Sequence, residues 1–283
     1  MFERPMLLDG GLSTALENLG NNLSTSLWSG ELLRSDPAQI RAAHQEYVDA
    51  GAEILISSSY QISYDGCAKL GWSEAEVDDA LRRSTELARF PGIKVAASIG
   101  PYGASLADGS EYLGNYGLTK DQLKDFHWRR LNVLLQSEPD LLAIETIPEI
   151  LEAEAIIELL AETHLKIPYW ISFSCKDQNM ISSGEYFFRA VAAAQKGENM
   201  VGIGINCTAP EYISPLLESA RSHLPYVVYP NAGRKWNAEL KEWAGPPTSG
   251  FSELQIFEWI ERGAKVIGGC CGIGPAEIGQ MSL

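Results

Sequence analysis

The feature that most constrains the fold of this 283-residue chain is a regular alternation of short apolar runs with stretches of helical spacing. The apolar runs, which predict strands, cover residues 5–9, 53–58, 94–99, 141–145, 169–174, 200–206, 226–229 and 265–268. The stretches that predict helices cover residues 37–50, 74–89, 119–136, 150–163, 187–195, 211–222 and 252–262, and a last one begins at Pro275. Asp36, Ser73 and Thr119 stand where helix N-caps are expected, and Gly51 ends the first helix.

This alternation predicts the α/β class with a parallel sheet, and eight strand–helix units predict a closed (β/α)8 TIM barrel. A barrel of this size is one domain, so residues 1–283 are expected to form a single barrel domain. The competing architecture is an open, doubly wound sheet. Its phosphate-binding fingerprint after the first strand is absent, since the sequence there is Asp9-Gly10-Gly11-Leu12-Ser13-Thr14.

Composition excludes several classes of function. The formal net charge is −15, with an isoelectric point near 4.7, which is the wrong sign for a nucleic-acid or anionic-membrane binder. The apolar runs are far shorter than the roughly 20 residues that a transmembrane helix needs. The first residues contain no apolar signal region. We therefore expect a cytoplasmic protein that acts on small molecules, with neither a membrane nor a nucleic acid as partner.

The five cysteines are the most chemically informative residues. An odd number in a long chain, with two adjacent, is not typical of a disulfide framework, so thiols for metal binding or catalysis are expected instead of crosslinks. Cys207 ends the sixth predicted strand, and Cys270 and Cys271 end the eighth. These strands are one apart around a barrel, so three sulfurs can converge at the rim where barrels carry their active sites.

Three thiolates suit Zn²⁺, and an open fourth position is typical of a catalytic zinc site. The glycines beside the cysteine pair would let the backbone turn so that both sulfurs face one centre. Spacing alone leaves the alternative that these cysteines are small buried hydrophobes, which is the expectation for Cys67 and Cys175. A closed site of four thiolates that includes Cys175 is a further alternative.

Several motifs, in this order along the chain, resemble the homocysteine S-methyltransferase family. They are Asp9-Gly10-Gly11, Ser59-Tyr60-Gln61, Gly100-Pro101-Tyr102-Gly103-Ala104, Leu106-Ala107-Asp108-Gly109-Ser110-Glu111-Tyr112, Glu145-Thr146, Gly204-Ile205-Asn206-Cys207, Tyr229-Pro230-Asn231-Ala232-Gly233 and Gly268-Gly269-Cys270-Cys271-Gly272. The likeness covers essentially the whole chain and is closest to the cobalamin-independent members that use S-methylmethionine. It implies a barrel, a zinc site of three cysteines and homocysteine as the methyl acceptor.

The implied chemistry is consistent with the residues. A free thiol has a pKa near 8.5, so little of it is ionised at neutral pH, and binding to zinc would deprotonate it. The methyl donor should be a sulfonium cation, whose charge is neutralised as the methyl group leaves. The resemblance gives Glu145 the role of pairing with the substrate α-ammonium group, and the alternative is a helix-cap acid. Asp9 has the same functional role or is an ordinary turn residue before two glycines.

The remaining candidates at strand ends are aromatic or amide side chains. Tyr60, Tyr102 and Tyr229 would face the sulfonium through cation–π contacts or would only pack at the rim. Asn231 would hydrogen-bond the substrate carboxylate or close a turn. The sequence alone does not decide between these alternatives.

Four other functions compete with methyl transfer from S-methylmethionine. The donor could instead be S-adenosylmethionine, or a methyl-corrinoid protein supplied as a separate partner. A different class is a phosphate-binding barrel lyase that uses glycine-rich loops after the last strands, with Lys176 as its base. A non-enzymatic alternative is a zinc-binding or redox-sensing protein.

The C-terminus departs from the family pattern, because the chain stops at Leu283, soon after the cysteine pair. The family usually continues its last helix further. Either the last helix is short, or a partner such as a second copy in a homo-oligomer covers that edge of the barrel.

Overall fold

The computed structural model describes residues 1–163, 166–233, 235–237, 242–244 and 250–283. Eight parallel strands form one sheet, which confirms the predicted (β/α)8 barrel. They are β1 (Met6–Leu7), β2 (Ile54–Ile56), β3 (Lys94–Ile99), β4 (Leu141–Ile147), β5 (Tyr169–Phe173), β6 (Met200–Asn206), β7 (Tyr226–Tyr229) and β10 (Ala264–Ile267). A parallel bridge between Leu8 and Ile54 joins β1 to β2 and closes the ring.

Helices lie between successive strands. They are α1 (Leu12–Asn18), α2 (Leu32–Ser35), α3 (Pro37–Asp49), α4 (Tyr64–Ala68), α5 (Glu74–Leu87), α6 (Lys120–Gln136), α7 (Ile150–Glu162), α8 (Phe187–Ala194), α9 (Ile213–Ser219), α10 (Glu253–Glu261) and α11 (Pro275–Ile278). Short 3-10 turns cover Trp28–Glu31, Tyr102–Leu106, Ser110–Tyr112 and Pro210–Tyr212. An antiparallel hairpin of β8 (Lys235–Asn237) and β9 (Glu242–Ala244) lies between β7 and α10.

Two of the three predicted N-cap residues form side-chain capping hydrogen bonds. Ser73 and Thr119 both form capping boxes, with their side chains accepting a backbone N–H three residues on. Asp36 is the N-cap residue of α3, as predicted, but its side chain makes no capping hydrogen bond. Pro37 at the first helical position has no N–H to be capped, and its fixed φ already suits a helix. Gly51 follows α3 at φ +97°, as expected of a C-terminal glycine.

Side chains alternate between two apolar layers along the strands. Leu141 and Ala143 of β4 belong to the cluster inside the barrel, whereas Leu142 and Ile144 pack in the layer between strands and helices. This alternation turns the next odd residue, Glu145, inwards at the carboxyl end of β4. Trp170 of β5 fills the interior beneath it, fully buried.

The last described helix is short, as one of the two alternatives expects, and cover of this edge by a partner stays a prediction. The last helix, α11, is a single turn, and its buried Ile278 packs into the layer around the strands. In the described part of the chain, no helix combines the length and apolarity needed to cross a membrane.

Candidate active site

A cavity of about 110 Å³ lies at the carboxyl ends of the barrel strands. This is the face on which α/β barrels carry their catalytic residues. Its lining comes from the loops and strand ends of almost every unit: Asp9, Gly10, Gly11, Leu12, Ser13, Trp28, Ser29, Ile56, Ser57, Ser58, Tyr60, Tyr112, Glu145, Thr146, Cys207, Tyr229, Gly269, Cys270 and Cys271. Of the nine candidate residues from the sequence, seven meet there.

Three cysteines form one wall of the cavity. The sulfurs of Cys207, Cys270 and Cys271 all lie within 4.8 Å of one another. The Cys271 Sγ is 3.8 Å from that of Cys207 and 3.9 Å from that of Cys270. The prediction that the ends of the sixth and eighth barrel strands bring three sulfurs together is confirmed by this placement.

The structure corrects the expectation about crosslinks. Cys207 and Cys270 form a disulfide, with their Cα atoms 5.6 Å apart, while Cys271 is a free thiol. The expectation that these cysteines are thiols instead of crosslinks is therefore wrong for this pair. The reason is proximity, because a site that gathers three sulfurs at one point also puts two of them within bonding reach. Cys175 and Cys67 are buried free thiols outside the cluster, so a four-thiolate site does not form among the described residues.

Two left-handed backbone positions aim the sulfurs at one point. Cys207 has φ +46° and Gly272, directly after the cysteine pair, has φ +81°. A Cβ on Gly272 would also lie 2.7 Å from the Ala232 Cβ, so glycine is required there, as expected for a residue beside the pair. The Cys270 N–H donates to the Pro230 carbonyl at 2.8 Å, which ties the loops after β7 and β10 together.

Two buried carboxyl groups lie in the same cavity. Asp9 Oδ2 accepts the Ile56 N–H at 2.8 Å, while Oδ1 is buried without a partner among the described residues. Burial raises the pKa of Asp9 well above its usual range, and the nearby Glu145 carboxylate raises it further. Burial also raises the pKa of Glu145 to about 7, against hydrogen bonds from Ser98 and Tyr229 that lower it. A cation that enters the cavity would therefore stabilise the ionised form of both carboxyl groups.

Three tyrosines face the cavity, of which the sequence indicated two. Tyr60 and Tyr229 line it as expected, and the Tyr229 hydroxyl accepts the Trp170 indole N–H at 3.2 Å. Tyr112 was not among the predicted residues, yet its hydroxyl lies 3.8 Å from the Cys207 Sγ. The signal that could have found it is the stretch from Leu106 to Tyr112, which forms part of the family likeness.

Two predicted residues do not reach the cavity. Tyr102 packs edge-on against Tyr116 and Phe126 in the loop and helix outside the barrel mouth, so its predicted substrate contact is not supported. Asn231 Oδ1 accepts the Gly233 N–H at 2.8 Å, which is the turn-closing role. Neither residue is among those that line the cavity.

A buried amide clamps the neighbouring strand ends. Asn206 Oδ1 accepts the Thr146 N–H, and its Nδ2 donates to the Thr146 hydroxyl, both at 2.8 Å. Thr146 has φ +60°, a costly conformation for a β-branched residue. The clamp holds the ends of β4 and β6 in place and thereby the adjacent Glu145 and Cys207.

The donor set suits a soft divalent metal ion. Burial raises the pKa of the Cys271 thiol to about 12, and the surrounding Glu111 and Glu145 carboxylates add to that rise. Such a thiol ionises at neutral pH only if a cation compensates its charge. Among the described residues that line the cavity, none is Lys, Arg or His. A metal ion held by Cys207, Cys270 and Cys271 would supply that positive charge.

Comparison with known proteins decides the family. The profile of the homocysteine S-methyltransferase family matches residues 6–283. The chain belongs to this family. It is 42% identical to homocysteine S-methyltransferase 2 from Zea mays over 299 residues, which cover 96% of this chain and 87% of that protein. It is 41% identical to the selenocysteine Se-methyltransferase of Brassica oleracea var. italica, over 96% of this chain and 86% of the relative.

Solved structures agree with this assignment. The homocysteine methyltransferase MmuM from Escherichia coli in its metallated form is 36% identical, with a TM-score of 0.86, over 98% of this chain and 95% of that one. The oxidised form of the same protein has the same TM-score at 37% identity, over 97% and 94% of the two chains. The related enzyme is thus described both with metal and oxidised.

The disulfide leads to a prediction about thiol content and metal uptake. Protein purified without reductant and then denatured should titrate three thiols per chain, and reduction should raise this to all five cysteines. Only the reduced protein should take up zinc, since oxidation removes two of the three sulfur ligands. Ellman titration and zinc uptake measured on the same samples check this. Five thiols before reduction, or equal zinc uptake in both states, would contradict it.

Proposed function

We propose that this chain transfers a methyl group from S-methylmethionine to the thiol of L-homocysteine, with Zn²⁺ held by Cys207, Cys270 and Cys271. We further propose that residues 1–283 act as one homocysteine-binding barrel domain. The observation that carries the proposal is the position of the cysteine cluster, which opens onto the same cavity as two buried carboxyl groups. Family membership supports homocysteine as the acceptor.

Asp9 and Glu145 suit the α-ammonium group of homocysteine. They approach each other across the cavity from the ends of β1 and β4, and Asp9 Oδ1 has no hydrogen-bond partner among the described residues. An ammonium group offers three N–H donors, so it can satisfy both carboxylates at once. Held there, the amino acid points its thiol along the cavity towards the cysteine wall.

The methyl transfer itself needs orientation and charge neutralisation. The homocysteine sulfur forms a bond to the methyl carbon while the bond between that carbon and the donor sulfur breaks. The electron pair of the broken bond stays on the donor sulfur. The thiol proton goes to solvent, and both amino acids end as methionine. When bound, a zinc ion supplies the positive charge that keeps a thiol ionised at neutral pH. The protein contributes alignment of the two sulfurs with the methyl group between them.

Aromatic side chains serve the donor cation. Tyr60, Tyr112 and Tyr229 line the cavity, and the faces of aromatic rings attract a sulfonium that has no N–H to donate. The attraction weakens as the charge is lost on methyl transfer, and this loss is favourable in a site from which water is largely excluded. Tyr112 adds a hydroxyl close to the Cys207 sulfur.

The other functions fit the site less well. The cavity presents carboxyl groups and, among the described lining residues, no cation, which disfavours a phosphate ligand. Lys176, the base of the lyase alternative, is not part of the lining. A metal or redox sensor has no use for the carboxylate pair opposite the sulfurs. S-Adenosylmethionine and a methyl-corrinoid partner stay as alternative donors, and cytoplasmic location and self-association stay predictions.

An isotope experiment tests the donor. Reduced, zinc-loaded protein is mixed with homocysteine that carries a 13C-labelled carbon skeleton and S-methylmethionine that carries deuterated methyl groups, and the methionine produced is analysed by mass spectrometry. We expect methionine that carries both labels, which places the transferred methyl group on the homocysteine skeleton, and we expect 13C-labelled methionine to form faster than with S-adenosylmethionine or methylcobalamin. Faster transfer from either alternative donor would contradict the choice of S-methylmethionine. No transfer from any of them would refute methyl transfer to homocysteine.

A further inference from the structure

We propose that a buried triad of Arg130, His127 and Glu152 positions Tyr60 and Tyr112, two of the aromatic side chains that face the methyl donor. The triad lies on α6 and α7, and none of its members lines the cavity. They are therefore positioning residues that touch neither substrate. This inference rests on the proposed function, because it assigns the aromatic rings to a sulfonium donor.

The three side chains form one chain of hydrogen bonds, and each is at most 2% exposed. Arg130 Nη2 donates to His127 Nδ1 at 2.8 Å, and His127 Nε2 lies 2.8 Å from Glu152 Oε1. Because a guanidinium group can only donate, Nδ1 accepts, and the neutral imidazole donates its Nε2–H to Glu152. Burial and then the Arg130 charge lower the pKa of His127, which agrees with a neutral ring.

The triad holds the backbone of the loop after β3 at two points. Arg130 Nη2 also donates to the Gly100 carbonyl. Glu152 Oε1 also accepts the Tyr102 N–H at 2.6 Å. Gly100 directly follows β3, and the first 3-10 turn of the loop begins at Tyr102. Side chains from two helices outside the barrel therefore fix the path of the chain as it leaves β3.

The held backbone is in close contact with both aromatic segments. A Cβ on Gly100 would lie 2.6 Å from the Tyr60 carbonyl oxygen and 2.7 Å from the Tyr60 ring. A Cβ on Gly103 would lie 2.5 Å from the backbone nitrogen of Glu111, the residue before Tyr112. Because close-packed groups transmit a displacement to their neighbours, the path of this backbone sets the positions of Tyr60 and Tyr112.

Stability alone does not account for the triad. Arg130 Nε and Glu152 Oε2 are buried without a partner among the described residues. Such atoms cost free energy, and replacing a buried ionic network by packed apolar side chains is often neutral or stabilising. Apolar side chains could join α6 to α7, but they could not bind the Gly100 carbonyl or the Tyr102 N–H. The donors and acceptors of the triad match the task of holding the loop.

The test compares two variants of Glu152 that differ in hydrogen bonding. Glu152→Gln keeps an oxygen that can accept from Tyr102 and His127, whereas Glu152→Met has a similar size and only a weak sulfur acceptor. Neither side chain can ionise, so the difference between the two variants isolates the hydrogen bonds. Ile156→Ala is the control for lost stability, because Ile156 is a buried apolar residue one turn further along α7.

Four quantities are measured on the reduced, zinc-loaded proteins: the KM for each substrate, the Kd of S-methylmethionine by calorimetry, the backbone hydrogen exchange of residues 100–112, and the melting temperature. In Glu152→Met we expect the KM and Kd for S-methylmethionine to rise about fivefold or more, because misplaced rings attract the sulfonium less. Residues 100–112 should exchange faster. The KM for homocysteine should stay within about twofold of wild type, since Asp9 and Glu145 come from other strands.

The other variants should separate positioning from stability. Glu152→Gln should recover most of the affinity for S-methylmethionine and most of the exchange protection. Ile156→Ala should melt at a lower temperature but keep the wild-type KM for the donor. Gly103→Ala is a second variant in case Glu152→Met folds poorly, because it leaves the triad intact and displaces the segment that carries Tyr112. It should also raise the KM for S-methylmethionine alone.

Equal donor KM values and equal exchange in Glu152→Met and Glu152→Gln would overturn the inference, and so would an unchanged donor KM in Gly103→Ala. A rise in donor KM as large in Ile156→Ala, or a parallel rise in the KM for homocysteine, would show a general loss of structure and would also overturn it. If wild type neither binds nor uses S-methylmethionine, the proposed function fails. Normal use of that donor by Glu152→Met is instead a failure of this inference alone.

Discussion

Replacing Cys271 with serine should release most of the bound zinc and lower kcat/KM for methionine formation by about a thousandfold, equivalent to about 4 kcal/mol of transition-state stabilisation. Cys271 is the free thiol of the cluster and lies 3.8–3.9 Å from both other sulfurs. Serine is nearly isosteric but binds zinc poorly, because its hydroxyl is a hard, weakly acidic ligand. Zinc content by elemental analysis and methionine formation are measured on the same preparation.

The matched control is Cys175→Ala. Cys175 is another buried cysteine at the end of a barrel strand, β5, but its sulfur is not part of the cluster. This variant should keep its zinc and lose little activity, although it should be somewhat less stable. A Cys271→Ser protein that keeps both zinc and activity would refute the role assigned to the cluster.

Glu145→Gln should raise the KM for homocysteine by about a hundredfold, since a buried carboxylate that pairs with an ammonium group contributes about 2–5 kcal/mol to binding. Gln keeps the shape of the side chain and can still accept the Ser98 hydroxyl, which lies 2.5 Å from Glu145 Oε1 in the structure. The expected rise in KM therefore reflects the lost negative charge more than a change in packing. Steady-state kinetics with homocysteine as the varied substrate measures it.

The same residue predicts a pH dependence. The pKa of Glu145 is raised to about 7, first of all by burial, so the free enzyme carries a protonated carboxyl group below that pH. Because only the ionised form attracts an ammonium group, kcat/KM for homocysteine should fall as the pH drops through about 7. The Gln variant should lack this ionisation.

Glu149→Gln is the control for these measurements. Glu149 is a similarly buried acid just beyond β4, but it accepts the Asn115 N–H and does not line the cavity. This variant should keep the wild-type KM and pH profile. A Glu145→Gln enzyme with unchanged homocysteine KM would contradict the ammonium-binding role.

Much of the fold could be predicted because the barrel repeats one simple pattern. All eight strands appear, since each is a short apolar run that is buried by its neighbours on both sides. The short helices α1, α2 and α4 and the β8–β9 hairpin were not predicted. Segments this short contain too few apolar residues to show a period, and their structure depends on tertiary contacts.

The site was predictable where strand alternation fixes a side chain. Glu145 and Tyr229 lie in strands, so the period of two residues turns them into the barrel. Tyr102 and Asn231 lie beyond the strands, where the two-residue alternation no longer fixes the direction of the side chain. Tyr112 lies further along such a loop, and only the folded chain returns it to the cavity.

The disulfide could not be foreseen from the cysteine count. An odd number of cysteines, two of them adjacent, argues against a framework of several disulfides. It does not argue against a single disulfide within a cluster of three sulfurs. The convergence itself depends on the left-handed backbone at Cys207, which is unusual for a residue other than glycine. Sequence patterns seldom reveal such a conformation.

The most direct test of the central claim is to follow methyl transfer while zinc is removed and returned. Reduced wild-type protein is dialysed against a chelator in steps, and each sample is analysed for zinc per chain and for methionine formed from homocysteine and S-methylmethionine. We predict about one zinc per chain at full activity, as expected for one centre of three cysteine ligands. Activity should then fall in proportion to zinc and return when zinc is restored. Full activity in protein free of zinc would contradict the claim.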